Sequence, residues 1–389
     1  MIPYGRQNIN QEDIDSVVNV MKSDFLTQGS ITPLFEESMK KQFGSDYAVA
    51  VINATSALHL ACLSLGVGKG DFVWTSAITF VASANCAKYC GAEIDLVDID
   101  PITYNMSIEF LENKLRKSKK TNTLPKVVIA VHLSGQPCDM KSIKELSIQY
   151  GFKIIEDASH ASGASYDGEP IGNCKYSDIT VFSFHPVKIM TTCEGGACLT
   201  NNRILYNKIY KLRSHGIERN AFDKTDINKG PWYYEQEELG FNYRLNDLQS
   251  ALGINQIKRV DDFVKERHKI AKIYDSFFET NENIKTPKQN PLNYSSYHLY
   301  IIKTSNVKNY HRFNVFERLR NNGFYVNVHY IPIYYHPYYS NSFNPKLFPN
   351  SEEYYSKAIS LPIYPGLKKV EIKKVVATIN EKMNHQTIF

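Results

Sequence analysis

Short apolar runs and longer amphipathic segments alternate through the first two thirds of this sequence. Runs such as Tyr47–Ile52 and Lys126–His132 have the length and composition of buried strands, and Met140–Tyr150 has helical periodicity. Strand and helix in regular turn predict a mainly parallel sheet with helices on both faces. The other predicted strands are Asp71–Ser76, Glu93–Asp98, Lys153–Asp157, the apolar run through Ile179 and Val181, and Ala197–Thr200.

The last third of the sequence has a different pattern. A long helical periodicity begins after Phe241–Asn246 and reaches about Phe278. We place a domain boundary inside it, with a large domain over residues 1–255 and a smaller α+β domain over residues 256–389. Other predicted segments are a polar linker at Ser118–Leu124, an irregular region at His215–Gly240, and small-domain strands at Tyr297–Thr304 and Tyr325–His329.

Chemically active side chains follow three of the predicted strands. Asp157 ends one strand, Lys188 lies in the turn after a later one, and Asn53–Ser56 separates a strand from a helix. Ligands of such sheets bind beyond the carboxyl ends of the strands. One cavity is therefore expected to gather these groups.

The residue types suggest a pyridoxal phosphate site. A lysine desolvated at the end of a buried strand can lose its proton and form a Schiff base with an aldehyde. A carboxylate such as Asp157 can keep a pyridine nitrogen protonated, which makes the ring an electron sink. Hydroxyl residues at a helix start offer free amides to a phosphate. The alternatives are a surface lysine at 188 and a simple N-cap at Asn53.

Composition excludes few classes of protein, but it bears on membrane insertion, nucleic-acid binding and the cellular compartment. Hydrophobic residues make up 43% and charged residues 22% of the 389 residues, which is ordinary for a globular protein. No apolar run approaches the roughly 20 residues that span a bilayer, and the start of the chain lacks a signal-peptide pattern. The net charge of +5 is spread out, so nucleic-acid binding is not indicated. The seven cysteines lack zinc-type spacing and suggest reduced thiols in the cytoplasm.

Several spaced motifs together resemble one enzyme family. They are Glu156–His160, Ser183–Lys188, Glu194–Gly196 and Phe241–Asn246. The sequence is similar over essentially its whole length to the DegT-type sugar-nucleotide aminotransferases. That resemblance implies the α/β fold type I of pyridoxal phosphate enzymes. It has a large domain with a mainly parallel seven-stranded sheet and a smaller C-terminal α+β domain.

The resemblance also implies roles for individual residues. Lys188 would be the catalytic lysine that carries pyridoxal 5′-phosphate and moves protons. Arg244 would meet a carboxylate or phosphate, or else form a structural salt bridge. The implied cofactor contacts are Thr55, Ser56, Phe80, Asp157, His160, Ser183 and Asn242. The implied substrate contacts are Tyr4, Asp24, Phe25, Leu26, Thr27, Ala54, Asn327, Val328, His329 and Tyr330. For His160, Phe80 and most tyrosines of the run after Asn327, core packing is the competing interpretation.

The opening residues and the stretch Lys22–Gly29 resemble the pseudaminic acid branch of the family. This implies amination at C4 of a UDP-linked 4-keto-6-deoxy-2-acetamido sugar, with L-glutamate as donor and 2-oxoglutarate as product. It also implies a homodimer with shared active sites, because Asn242 would reach the neighbouring subunit's cofactor.

Other readings of the same sequence stay open. The substrate could instead be a dTDP- or GDP-linked 4-keto sugar. A ketosugar dehydratase of this fold would place histidine where Lys188 stands. A regulator or scaffold that keeps the fold without catalysis is a further possibility. A metal site built from Asp157, His160 and His185 has no supporting spacing, so none is expected.

Overall fold

Seven strands form the central sheet of the computed structural model, which describes residues 1–218, 230 and 232–381. Neighbouring strands are parallel except for Gly196–Thr200, which is antiparallel to both of its neighbours. In spatial order the strands are Tyr47–Val51, Gly196–Thr200, Ile179–Ser183, Lys153–Asp157, Val127–Val131, Phe72–Ser76 and Glu93–Val97. The α/β fold with a mainly parallel seven-stranded sheet is confirmed.

Helices cover both faces of this sheet. Successive residues of the strand Val127–Val131 point to opposite faces: Val127 and Ile129 join one apolar cluster, while Val128 and Ala130 join another. Both faces are therefore buried, which explains why the strands are continuous apolar runs. The helices up to residue 278 are Gln11–Met21, Ile31–Phe43, Ala54–Ser64, Ala82–Tyr89, Ile108–Thr121, Met140–Tyr150, Arg203–Leu212, Asp247–Ile257 and Val260–Phe278.

Two helix predictions differ from the structure. The helix Ile108–Thr121 continues into the predicted polar linker and ends where Asn122 adopts a left-handed conformation at φ 57°. The long helical pattern is two helices, interrupted where Arg259 leaves helical geometry at ψ 2°. The Arg259 guanidinium bonds Asn8 and Asp13, so the break coincides with an anchor for the N-terminal segment.

The C-terminal part is built on a three-stranded antiparallel sheet of Ile284–Lys285, Tyr300–Thr304 and Ala358–Leu361. Its helices are Arg312–Asn321, Pro349–Lys357 and Lys369–Asn380. The helix Val260–Phe278 connects the two parts, because Phe263 packs with the central sheet and Tyr274 with the C-terminal cluster. The shorter strands are Ile2–Pro3, Ser165–Tyr166, Glu169–Pro170, Ile217–Glu218, Glu235–Gln236, Asn293–Tyr294 and Phe324–Tyr325.

The predicted strand Tyr325–His329 is largely absent. Only Phe324–Tyr325 forms a strand, because its partner is the two-residue strand Ile2–Pro3. The chain after it turns toward a cavity. Much of the predicted irregular region, 219–229 and Pro231, lies outside the described residues, as do residues 382–389. Within the described ranges, no helix is both long and apolar enough to cross a bilayer.

Candidate active site

A cavity of about 560 Å³ lies at the carboxyl ends of the central strands. Its wall includes Asp157 at the end of one strand, Ser183 at the end of the next, and Lys188 in the following turn. The geometry expected for a parallel sheet therefore brings these three groups to one place.

Lys188 is the lysine of this wall. The strand Ile179–Ser183 ends, Pro186 follows, and the Lys188 amide donates to the His185 carbonyl at 2.9 Å, which closes the turn. Burial lowers the pKa of the Lys188 amine to about 8, and the negative charge of Asp157 opposes part of this shift. About a tenth of the amine is therefore neutral at pH 7 and can attack a carbonyl carbon.

Asp157 is held by three donors and is nearly buried. Its Oδ2 accepts a hydrogen bond from the Ser83 hydroxyl at 2.6 Å. Its Oδ1 accepts the Ser159 amide at 3.1 Å and the Ser159 hydroxyl at 2.6 Å. These donors fix the direction of the carboxylate beside the cavity.

The adjacent carboxylate, Glu156, points to the other face of the sheet. It accepts hydrogen bonds from His132 Nε2 at 2.8 Å and from the hydroxyls of Ser177 and Thr180. His132 Nδ1 accepts the Cys138 amide, so the imidazole proton lies on Nε2. Burial raises the pKa of Glu156, but these hydrogen bonds outweigh it and lower the pKa. Glu156 is structural and does not line the cavity.

The helix Ala54–Ser64 points its N-terminus at the same cavity. The Asn53 side chain caps it by accepting the Ser56 amide at 2.8 Å. The amides of Ala54 and Thr55 come first in the helix, so they have no acceptor within it and can bind an anion. A Cβ on Gly196 would lie 2.6 Å from Ala54 N, so only glycine permits this close approach.

Aromatic and histidine side chains form another part of the wall. Phe80 is 54% exposed, and its ring centre lies 5.9 Å from that of Tyr330. His160 is buried, with Nε2 3.0 Å from the Tyr330 hydroxyl and no partner for Nδ1. Burial and the Lys188 charge lower the pKa of His329 to about 3. Burial, followed by the same charge, also lowers the pKa of His160 well below its ordinary value.

The structure brings most of the sequence-predicted site residues to this cavity. Those that line it are Tyr4, Ala54, Thr55, Phe80, Asp157, His160, Ser183, Lys188, Asn327, Val328, His329 and Tyr330.

The remaining predicted residues lie elsewhere in this chain. Ser56 is buried in the first turn of its helix, and Asn242 pairs with Ser214. Asp24 and Phe25 line a second cavity of about 440 Å³, and Leu26 and Thr27 are exposed on the same loop. That cavity forms where the helix Gln11–Met21 packs on the helix Asp247–Ile257.

Several wall residues were missed by sequence reasoning. Thr79 and Ser159 follow strand ends, a signal that could have identified them. Glu194 belongs to a recognised motif but was given no role. His336 belongs to the aromatic run after Asn327 but was given no role of its own, and it reaches the wall through the turn at Ile333–Tyr335.

The wall fits pyridoxal phosphate. It offers an amine for the aldehyde, a carboxylate for the ring nitrogen, a helix N-terminus for the phosphate and an exposed aromatic ring for stacking. Fold and site together define a pyridoxal phosphate-dependent enzyme of fold type I.

The chain belongs to the DegT/DnrJ/EryC1/StrS aminotransferase family, whose model matches residues 7–380. Aminotransferases of this family use pyridoxal 5′-phosphate, which is therefore the cofactor of this sugar aminotransferase.

Individual relatives agree with this assignment. The UDP-4-amino-4,6-dideoxy-N-acetyl-beta-L-altrosamine transaminase of Campylobacter jejuni is 37% identical over 379 residues, 97% of this chain and 96% of that protein. Helicobacter pylori PseC, an aminotransferase of pseudoaminic acid biosynthesis, matches with a TM-score of 0.87 at 30% identity, covering 97% of this chain and 98% of that one. The PMP form of Spr1654 from Streptococcus pneumoniae matches with a TM-score of 0.88 at 27% identity, covering the same shares.

Proposed function

We propose that this enzyme transfers the amino group of L-glutamate to C4 of a UDP-linked 4-keto-6-deoxy-2-acetamido sugar, in the pathway to pseudaminic acid. The observation that carries the aminotransferase chemistry is Lys188 and Asp157 on one cavity wall, beside a capped helix N-terminus. The choice of sugar nucleotide is supported by the C. jejuni relative, which is similar over nearly the whole chain.

Lys188, Asp157, Phe80 and the N-terminus of the helix Ala54–Ser64 each have a task in this proposal. When bound, the cofactor supplies an aldehyde and an electron-withdrawing ring. Lys188 Nζ takes a proton and returns it at the reacting carbon, which a neutral amine can do. Asp157 holds a proton on the ring nitrogen, and the first amides of the helix Ala54–Ser64 bind the phosphate. Phe80 packs on the ring and, with the buried wall, excludes water.

The sugar nucleotide would lie against the wall formed by Tyr4 and Asn327–Tyr330. Tyr4 and His329 have ring centres 4.9 Å apart, and Tyr330 places its hydroxyl beside His160. Aromatic faces and hydroxyl groups suit the packing and hydrogen bonding of sugars and of a uracil ring.

A panel of UDP-, dTDP- and GDP-linked 4-keto sugars tests the proposal. Each is incubated with the holoenzyme and L-glutamate, and the product mass is measured. We expect amination with the UDP sugar and loss of that product with Lys188→Ala. Deoxygenation in place of amination would indicate a dehydratase, and preference for another nucleotide would reject the UDP assignment. No turnover with any sugar, despite bound cofactor, would support a non-catalytic role.

We also propose a homodimer whose two chains share each active site. Asn242 lies away from the cavity of its own chain, so a contact with the cofactor would have to come from a second copy. Mixed dimers test this directly. Lys188→Ala and Asn242→Ala enzymes are unfolded together, refolded and assayed. Random pairing would give one intact site in half of the dimers, about a quarter of wild-type activity. Activity no higher than that of the separate variants would place each site within one chain.

We propose that the enzyme works in the cytoplasm. All seven cysteines are free thiols, and six of them are at least partly buried. Free thiols are what a reducing compartment maintains. Fusion to a fluorescent reporter and fractionation of cells would check this placement.

A further inference from the structure

A short segment of the C-terminal part, Ser295–Leu299, contacts the loops at the carboxyl ends of two central strands. The Ser296 amide donates to the Gly135 carbonyl at 3.0 Å. The Ser296 hydroxyl donates to the His160 carbonyl at 2.6 Å, a buried hydrogen bond. One serine therefore joins the loop that follows Val131 to the loop that carries His160.

This contact is close enough to require glycine at position 135. Gly135 has φ +91°, in the left-handed region that favours glycine. A Cβ there would lie 2.1 Å from Ser296 Oγ and 2.7 Å from the His160 carbonyl oxygen. The backbone of one part thus lies directly on the other, with no space for a side chain.

The ring of His160 is held from two sides. The ring of His298 lies 4.3 Å from it between centres, and the ring of Tyr330 lies nearly parallel to it at 20°. His298 is itself anchored, because the buried Arg267 donates to the carbonyls of Tyr297, His298 and Ile363. Arg267 thereby fixes the backbone on which Ser296 and His298 are carried.

We propose that Ser296 and His298 are positioning residues that hold His160 against the cofactor side of the cavity. Ser296 fixes the backbone of His160, and His298 fixes its ring. This inference rests on the proposed place of His160 beside the cofactor ring. It concerns cofactor binding and needs no particular sugar nucleotide.

The packing also determines the charge of His160. The groups that face it are Lys188, His298, His329 and Tyr330, with Asp157 three residues away and Arg267 behind His298. Burial first, then the charge of Lys188, lower the pKa of His160. His160 is therefore neutral when the site works. Loosening the packing would admit water and bring its pKa back toward 6.5.

Two adjacent serines provide a matched pair of variants. Ser295 and Ser296 are both buried, but the Ser295 hydroxyl accepts only the local Tyr297 amide. We expect Ser296→Ala to weaken pyridoxal phosphate binding about three- to tenfold, the usual effect of one lost hydrogen bond. Ser295→Ala should leave that affinity within about twofold. Cofactor affinity is measured by absorbance titration of the apoenzyme, and thermal unfolding of the apoenzyme corrects for general destabilisation.

The role of His298 is tested by measuring how cofactor affinity depends on pH. In His298→Ala, cofactor affinity should fall as the pH drops through about 6, which gives its pH profile an acidic limb. His298→Phe keeps a ring beside His160 and should lack most of this limb. Equal cofactor affinity in the two serine variants, or no acidic limb in His298→Ala, would overturn the proposal. So would a His160→Ala enzyme with unchanged cofactor affinity. A wild-type enzyme that binds cofactor but aminates no UDP sugar would contradict only the proposed substrate.

Discussion

The pKa of Lys188 gives the most direct quantitative prediction. In water the amine of a lysine has a pKa of 10.5, and in this cavity burial lowers it to about 8. At pH 7 roughly one Lys188 amine in ten is then neutral, against roughly one in 3,000 for an ordinary lysine. The cavity thus increases the neutral, nucleophilic form about 300-fold at this pH.

The perturbation is pH, and the assay is capture of pyridoxal phosphate by the apoenzyme. The capture rate is followed by stopped-flow absorbance and divided by that of a reference lysine peptide. This ratio should be constant below about pH 8 and should fall above it, because Lys188 is then already neutral while the peptide amine is still losing its proton. Asp157→Asn removes the negative charge that raises the pKa of Lys188, so its break should move to lower pH. Asp178 precedes the strand that Lys188 follows, and Asp178→Asn should leave the break unchanged. A wild-type rate that parallels the free amine to pH 10 would refute the reasoning.

Three further predictions concern substitutions of Lys188, Glu156 and Gly196. Lys188→Met should stabilise the apoenzyme at pH 7 by up to about 3 kcal/mol, since it removes a buried charge. This gain should fade between pH 8 and 10.5, where the folded wild type has released its proton and the unfolded chain has not; urea unfolding at each pH checks the sign. Glu156→Gln should lower the free energy of unfolding by about 2 kcal/mol at neutral pH. That cost should shrink as acid protonates wild-type Glu156, and equilibrium dialysis should find cofactor affinity unchanged throughout. Gly196→Ala should weaken cofactor binding about tenfold or more, because its Cβ would displace the Ala54 amide; unchanged affinity in a fluorescence titration would contradict the proposed phosphate seat.

The sequence was sufficient to predict that Asp157 and Lys188 lie close together. Asp157 ends one buried strand and Lys188 follows another, and parallel strands bring their carboxyl ends to one edge of the sheet. It was not sufficient to separate Asp157 from Glu156. Neighbours on a strand face opposite sides, but which side faces the cavity depends on the packing of both faces. Only the structure shows that the Glu156 carboxylate is hydrogen-bonded to His132, Ser177 and Thr180.

Long-range contacts were also beyond the sequence pattern. The strand Phe324–Tyr325 lies where the sequence predicted a longer strand, Tyr325–His329, because Val326 and Val328 extend the apolar pattern. Its partner Ile2–Pro3 comes from the other end of the chain and pairs with only two residues. The chain is then free to turn His329 and Tyr330 into the cavity. Such a turn depends on residues more than 300 positions away, which no local periodicity records.

Three buried histidines near Lys188 are kept neutral in the apoenzyme, so its amine exchanges protons without competition from them. His160, His298 and His329 are buried near Lys188, and burial followed by neighbouring positive charge lowers the pKa of each. Three neutral imidazoles therefore surround one amine whose pKa is about 8. If any of them kept an ordinary pKa, its positive charge would lower the pKa of Lys188 further and add a second inflection near pH 6.5. The packing that keeps these histidines neutral thus also preserves the proton that Lys188 must carry. We expect the capture rate to show no inflection near pH 6.5 from these three histidines.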